Sequence, residues 1–157
     1  MSTRELDGTD MGILYLLQAD ARHRTIEEMG EELNVAPSTI ASHLRRLEED
    51  DVIEGYNPKI DYEKTEFDHH YILAGTTSAD EATVQNVIDI YGVINVRKLI
   101  TDREDLSIEV VGDSRESFTE SVDQLTDIGV EIDRIELVKR ELSRPFDDFG
   151  EQFTDEE

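Results

Sequence analysis

Five residues of one short stretch, Ser38, Thr39, Ser42, Arg45 and Arg46, have the types and spacing to bind a polyanion. Arginine carries a rigid fork of donors that matches phosphate oxygens or the paired acceptors of guanine. Serine and threonine bind phosphate or base edges and are small enough to let a helix approach closely. On a helix beginning at Pro37, Ile40, Leu44 and Leu47 define the inward direction. Ser38, Ser42 and Arg45 then point the opposite way, with Glu49 further along and Arg46 and Thr39 flanking. His43 falls nearer the core boundary, and it joins Lys59, just beyond the helix, as a further candidate for the same contact. Taken alone, this wheel fits a solvated face of a structural bundle equally well.

Other constellations offer less. His69 and His70 are adjacent on a predicted strand and so point to opposite faces, which prevents both from ligating one metal easily. Arg22-His23-Arg24 is a small cationic cluster in a turn, suited to phosphate contact or to plain solvation. No glycine-rich phosphate loop follows a strand, there is no nucleophile elbow, and no carboxylate pair stands out from the acidic background. No enzyme, cofactor or metal site is expected.

The background is itself informative. Asp and Glu number 39 against 15 Lys and Arg, for a formal net charge of -24 over 157 residues. The excess is dispersed: 14 acids face 6 bases in residues 1–62, and 25 face 9 in residues 63–157. Lysine occurs only at Lys59, Lys64, Lys98 and Lys139. Such a surface suits molar salt, where self-repulsion is screened over a Debye length of about 3 Å. The absence of cysteine removes disulfides and thiolate chemistry. No apolar run reaches membrane-spanning length, and Met1 to Glu5 lack the apolar stretch of a signal peptide, so a cytoplasmic protein away from membranes is expected.

Three helices must position the opening residues. Asp10 is expected to cap the first, which carries Ile13, Leu14, Leu16 and Leu17. Thr25 with Glu28 forms a capping-box pattern for the second, and Asn34 suits the left-handed turn that ends it. The third begins at Pro37, and residues 52–60 follow as a short wing. Beyond a polar connector at 57–68 the chain repeats: Gly75 and Gly112, and Gly92 and Gly129, both lie 37 residues apart. Strands at 71–74, 93–100, 106–111 and 130–138 alternate with helices at 80–91 and 115–128, with a bulge expected near Arg134. The order β-α-β-β-α-β is that of a ferredoxin-like sheet covered by helices on one face, and the uncovered face predicts a dimer. The fold class is α+β: a winged helix-turn-helix over 1–56, the connector, a ferredoxin-like domain over 69–141, and an acidic tail over 142–157. The tail carries Phe146, Phe149 and Phe153, as a frayed end or as a segment laid on a neighbouring surface.

The run Leu6-Asp7…Asp10…Ile13-Leu14, Ser38-Thr39-Ile40…His43-Leu44-Arg45-Arg46-Leu47, Val52-Ile53…Gly55-Tyr56 resembles the DNA-binding half of the Lrp/AsnC transcription regulators. Residues 69–141 resemble that family's effector-binding and oligomerisation domain by topology and repeat. The acidic, lysine-poor surface is similar to that of haloarchaeal members. The resemblance implies dimers, and tetramers or octamers built from them, on double-stranded promoter DNA, with an amino acid or other small-molecule effector between subunits. It places that effector at Thr101, Asp102 and Asp105, where the family has Thr-Gly-x-x-Asp; Asp102 replaces the glycine and adds negative charge. A metabolite-sensing or protein-interaction module without DNA binding is the alternative reading.

Overall fold

The computed structural model describes residues 4–77 and 81–150. They form two compact units: the chain up to Pro58 together with the segment from Leu142 on, and Lys59–Glu141.

The first unit is built on α1 (Gly8–Ala19), α2 (Ile26–Leu33) and α3 (Pro37–Glu49). Helix α1 starts earlier than the cap expected at Asp10. The cap is Asp7, whose carboxylate accepts the Asp10 N–H at 2.8 Å while the Asp10 carboxylate accepts the Asp7 N–H at 3.1 Å. Two aspartates three residues apart satisfy two orphan donors reciprocally, and this fixes the start of the helix. Thr25 and Glu28 form the same box on α2, as their spacing predicts. Asn34 ends α2 in the left-handed region at φ 55°. The Val35 N–H then returns to the Gly30 carbonyl at 2.9 Å, and a Cβ at Gly30 would lie 2.8 Å from the Val35 carbonyl oxygen. This turn therefore needs glycine. Ile13, Leu14, Leu16, Met29, Ile40 and Leu47 close the core. Ile53 packs against that core, and its N–H bonds to the Leu47 carbonyl at 3.0 Å. The segment expected as a wing then runs on with no strand pairing among the described residues.

The second unit holds β1 (His69–Thr76), α4 (Glu81–Ile88), β2 (Val93–Lys98), β3 (Leu106–Gly112), α5 (Arg115–Asp127) and β4 (Glu131–Leu137). The strands form one antiparallel sheet in the order β2-β3-β1-β4. Residue 80, where the first of these helices was expected to begin, lies outside the described residues. Burial alternates along β3, as one packed face requires. Leu73, Leu106, Ile108 and Val110 meet Val87, Phe118 and Leu125 in the core, with Tyr71 stacked on Phe118 at 4.1 Å. Along β1 and β4, Ala74 pairs with Arg134 but Gly75 pairs with Ile132. Asp133 is thus the extra residue of the bulge expected near Arg134. The repeated glycines Gly92 and Gly129 take φ of 88° and 97°, a backbone that side chains disfavour. The other sheet face presents His70, Ile72 and Ala74 on β1 beside Val111, Glu109 and Ser107 on β3.

Candidate nucleic-acid interface

Helix α3 is positioned from its buried side. Ile40 and Leu47 are fully buried, and Leu44 packs partly against the same core. Each Leu or Ile taken from water contributes about 1.5–3 kcal/mol, so the inward face fixes the rotation of the helix. Ser38, Arg45 and Arg46 are consequently exposed, with Thr39 and Ser42 half-buried beside them. The wheel also points Ser42 outward, whereas here it is half-buried.

His43 is held differently. Its Nδ1 lies 2.8 Å from Asp10 Oδ1 and 3.6 Å from Asp7 Oδ1, with only 13% of the side chain exposed. Asp10 is almost wholly buried and also receives Arg4 Nη2 at 3.3 Å on both oxygens. Arg4 Nη1 reaches on to Asp50, the C-cap of α3, at 2.9 Å. Burial pushes the Asp10 carboxyl up, but His43, the Asp7 N–H and the Arg4 guanidinium together hold it below its ordinary value. The network ties the middle and the end of α3 to the start of α1. Asp7, Asp10 and His43 are close enough to hold a metal ion. The Arg4 guanidinium, the Asp7 N–H and the His43 ring already satisfy the Asp10 oxygens, so these residues act as a structural lock. The D-x-x-D spacing in the sequence marked the cap, but nothing local linked it to His43.

Commitment separates the arginines of the first unit. Arg4 is locked into the network, and Arg24 is paired with Glu32. Arg45 meets Glu49 only at 4.0 Å, with both side chains about two-thirds exposed. Such a pair holds little. Arg22 and Arg46 have no carboxylate partner among the described residues. Within the Arg22-His23-Arg24 cluster, His23 is bound to Asp20 at 2.9 Å. Of the cluster, Arg22 alone keeps an uncommitted charge. Lys59 is exposed and belongs to the second unit.

In the second unit, Thr101 and Asp105 hold their own loop. The Thr101 hydroxyl donates to the Glu104 carbonyl, and the Asp105 carboxylate accepts the Thr77 N–H at 3.0 Å. Asp102 is exposed. A cavity of about 490 Å³ lies beside the loop, lined by Ile72, Ala74, Asp102, Arg103, Arg134 and Glu136 among others. Arg134 is engaged by Glu136 at 2.6 Å and Glu104 at 3.3 Å. Asp105 does not line the cavity.

A family model described as winged helix-turn-helix DNA-binding matches residues 6–54. The HTH-type transcriptional regulator YezC of Bacillus subtilis is 30% identical over 109 residues, covering 62% of this chain and 76% of that protein. The chain belongs to the HTH-type transcriptional regulators. An HTH-type transcriptional regulator of Pyrococcus abyssi is 40% identical over 63 residues, or 40% of this regulator and 42% of the relative. The match thus spans about two-fifths of the length of that relative. Among solved structures, the leucine response regulatory protein LrpA of Mycobacterium tuberculosis has a TM-score of 0.76 at 21% identity, covering 90% of this regulator and 97% of that chain. The transcriptional regulator NMB0573 in complex with L-Met, from Neisseria meningitidis, has a TM-score of 0.72 at 21% identity, covering 90% and 94%. These likenesses establish the α+β fold, with a helix-turn-helix followed by the four-stranded sheet. Among the described residues, no helix of the regulator is long and apolar enough to cross a membrane.

Proposed function

We propose that this regulator is a cytoplasmic, sequence-specific reader of double-stranded promoter DNA, a haloarchaeal-type member of the Lrp/AsnC family working in molar salt. Ser38, Thr39, Ser42, Arg45 and Arg46 enter the major groove on α3, and Lys59 contacts phosphate. His43 serves the interface from behind by holding α3 to Asp10. The observation that carries this reading is that Arg45 and Arg46 stand exposed on the outward face of α3 while Arg4 and Arg24 are consumed by carboxylates. An acidic protein that leaves these arginines unneutralised on a helix-turn-helix has a use for them there.

The acidic surface supports the salt assignment. Phosphate binding by counterion release falls with salt to the power of about -0.9 per contact, so six contacts lose on the order of 10⁵ in affinity over a tenfold rise. A reader in molar salt depends instead on base contacts and on the avidity of paired units. The sheet face that no described helix covers, where Tyr62 packs only on His70, and the fully exposed Ile100 support a homodimer, on which tetramers or octamers are built. The effector is a small metabolite such as an amino acid, bound beside the 101–105 loop. The L-Met complex of the Neisseria neighbour and the cavity support that place. Asp102, Glu104 and Glu136 there disfavour a bare carboxylate ligand, and Arg103 is the cation left to receive one.

The test is a KCl series of binding to duplex DNA from the regulator's own promoter region. Wild type should remain bound at molar KCl with a shallow salt slope, and Arg45→Ala/Arg46→Ala should bind at least about 30-fold more weakly. The ordinary steep loss of binding before molar KCl would refute the salt assignment. Equal binding by the double variant would refute the face.

A further inference from the structure

The last described residues return to the first unit. Residues 147–149 form a 3-10 turn, closed by the Phe149 N–H on the Phe146 carbonyl at 3.1 Å and braced by Arg144 on Asp147 at 2.7 Å. The turn presents Phe149 to the core of the first unit, against which it packs half-buried. Phe146 supports it edge-on, with ring centroids 5.0 Å apart, and donates its own N–H to the side-chain oxygen of Gln18 on α1 at 3.3 Å. Gly150 is buried against the backbone of α1. A Cβ on it would come within 3.2 Å of the Gly12 Cα and the Met11 carbonyl oxygen, and its φ of 147° disfavours any side chain.

We propose that this surface of α1 is a docking site whose ligand is the chain's own C-terminal segment, read through Phe149 and Gly150. The first unit is then assembled from two stretches of the chain, up to Pro58 and from Leu142 on. An apolar ring, a backbone-to-backbone glycine contact and a side-chain hydrogen bond converge on one helix, and the 3-10 turn prepares the hook before it docks. As a segment of the same chain, the tail meets this site as an intramolecular ligand. A weak site therefore stays filled by its own tail and can also be emptied. Helix α1 carries the tail on one side and, through Asp10, the lock on His43 at its start. Occupancy of the site bears directly on the helix that holds α3. This inference goes beyond DNA reading, and its test contains no DNA.

The experiment uses the full chain carrying Phe149→Ala, ¹⁵N-labelled, titrated with a synthetic peptide of the 142–157 sequence. A second protein, ending at Glu141, serves as the emptied site. Binding with Kd at or below about 1 mM is expected, with the Gly12 and Gln18 amide resonances shifting. Wild type, whose own tail competes for the site, should respond more weakly at every peptide concentration, and a peptide carrying G150A should not bind. A lower melting temperature for the Phe149→Ala chain, restored by the wild-type peptide, would support the assignment further. Absence of any shift at several millimolar peptide, in a Phe149→Ala chain with native helical circular dichroism, would overturn it. An equal response from wild type would overturn it as well.

Discussion

The outward face of α3 and the 101–105 loop were both predicted contact sites, and the fold treats them in opposite ways. On α3 the charged groups of this face have weak partners or none: Arg46 has no carboxylate partner among the described residues, and Arg45 has only the long contact to Glu49. In the loop, Thr101 and Asp105 are spent on backbone groups of the loop and its neighbour Thr77. A contact residue on a helix is held by its opposite face and keeps its functional atoms free. A contact residue in a loop must first satisfy the loop. The difference makes α3 the preorganised surface of the two.

Removing both uncommitted arginines should break this comparison most strongly. At about 1–3 kcal/mol for each specific contact, Arg45→Ala/Arg46→Ala should weaken promoter binding by at least about 30-fold, measured by anisotropy. Its melting temperature should stay unchanged, since neither side chain is buried. A loss of binding accompanied by unfolding would return α3 to a structural role.

Asp10→Ala strands His43 and Arg4 together and should cost about 3 kcal/mol of stability in chemical denaturation. It should weaken DNA binding only through the loosened α3. Its conservative relative Asp10→Asn carries a pH signature. The folded carboxyl of Asp10 lies below its ordinary 3.8, so its contribution is full above that value and is lost as pH falls through the lower folded one. The stability gap between wild type and Asp10→Asn should be full just above about pH 4 and shrink as pH falls below it. A gap that is flat to pH 2 would contradict the lock.

Asp105→Ala sharpens the other side of the comparison. Leaving the Thr77 N–H without its acceptor should cost about 1–2 kcal/mol, while DNA affinity stays within about twofold. The smallest effect belongs to Glu49→Ala. Releasing Arg45 from its 4.0 Å contact should raise DNA affinity by less than about threefold and leave the melting temperature unmoved.

Much of this was legible from local sequence, because the interactions are local. Thr25 and Glu28 cap one helix, Asn34 ends it, and the glycines at 92 and 129 close equivalent turns of a repeat. The bulge showed as a slip in alternation before Arg134. The start of α1 was misplaced because Asp7 and Asp10 share the capping box, and the sequence does not say which of two aspartates is the cap. His43 looked like a contact residue because its partner lies 33 positions away, on another helix. The fate of the tail was equally hidden. Phe149 needs a groove, and that groove exists only once α1 has packed on α2 and α3. Phe153 lies outside the described residues.

The most direct test of the reader on α3 is selection of a randomised duplex pool on the purified regulator in molar KCl, with Arg45→Ala/Arg46→Ala as control. The account predicts an enriched semi-palindrome with wild type and none with the double variant. Enrichment of the same sequence by both proteins, each folded, would contradict it.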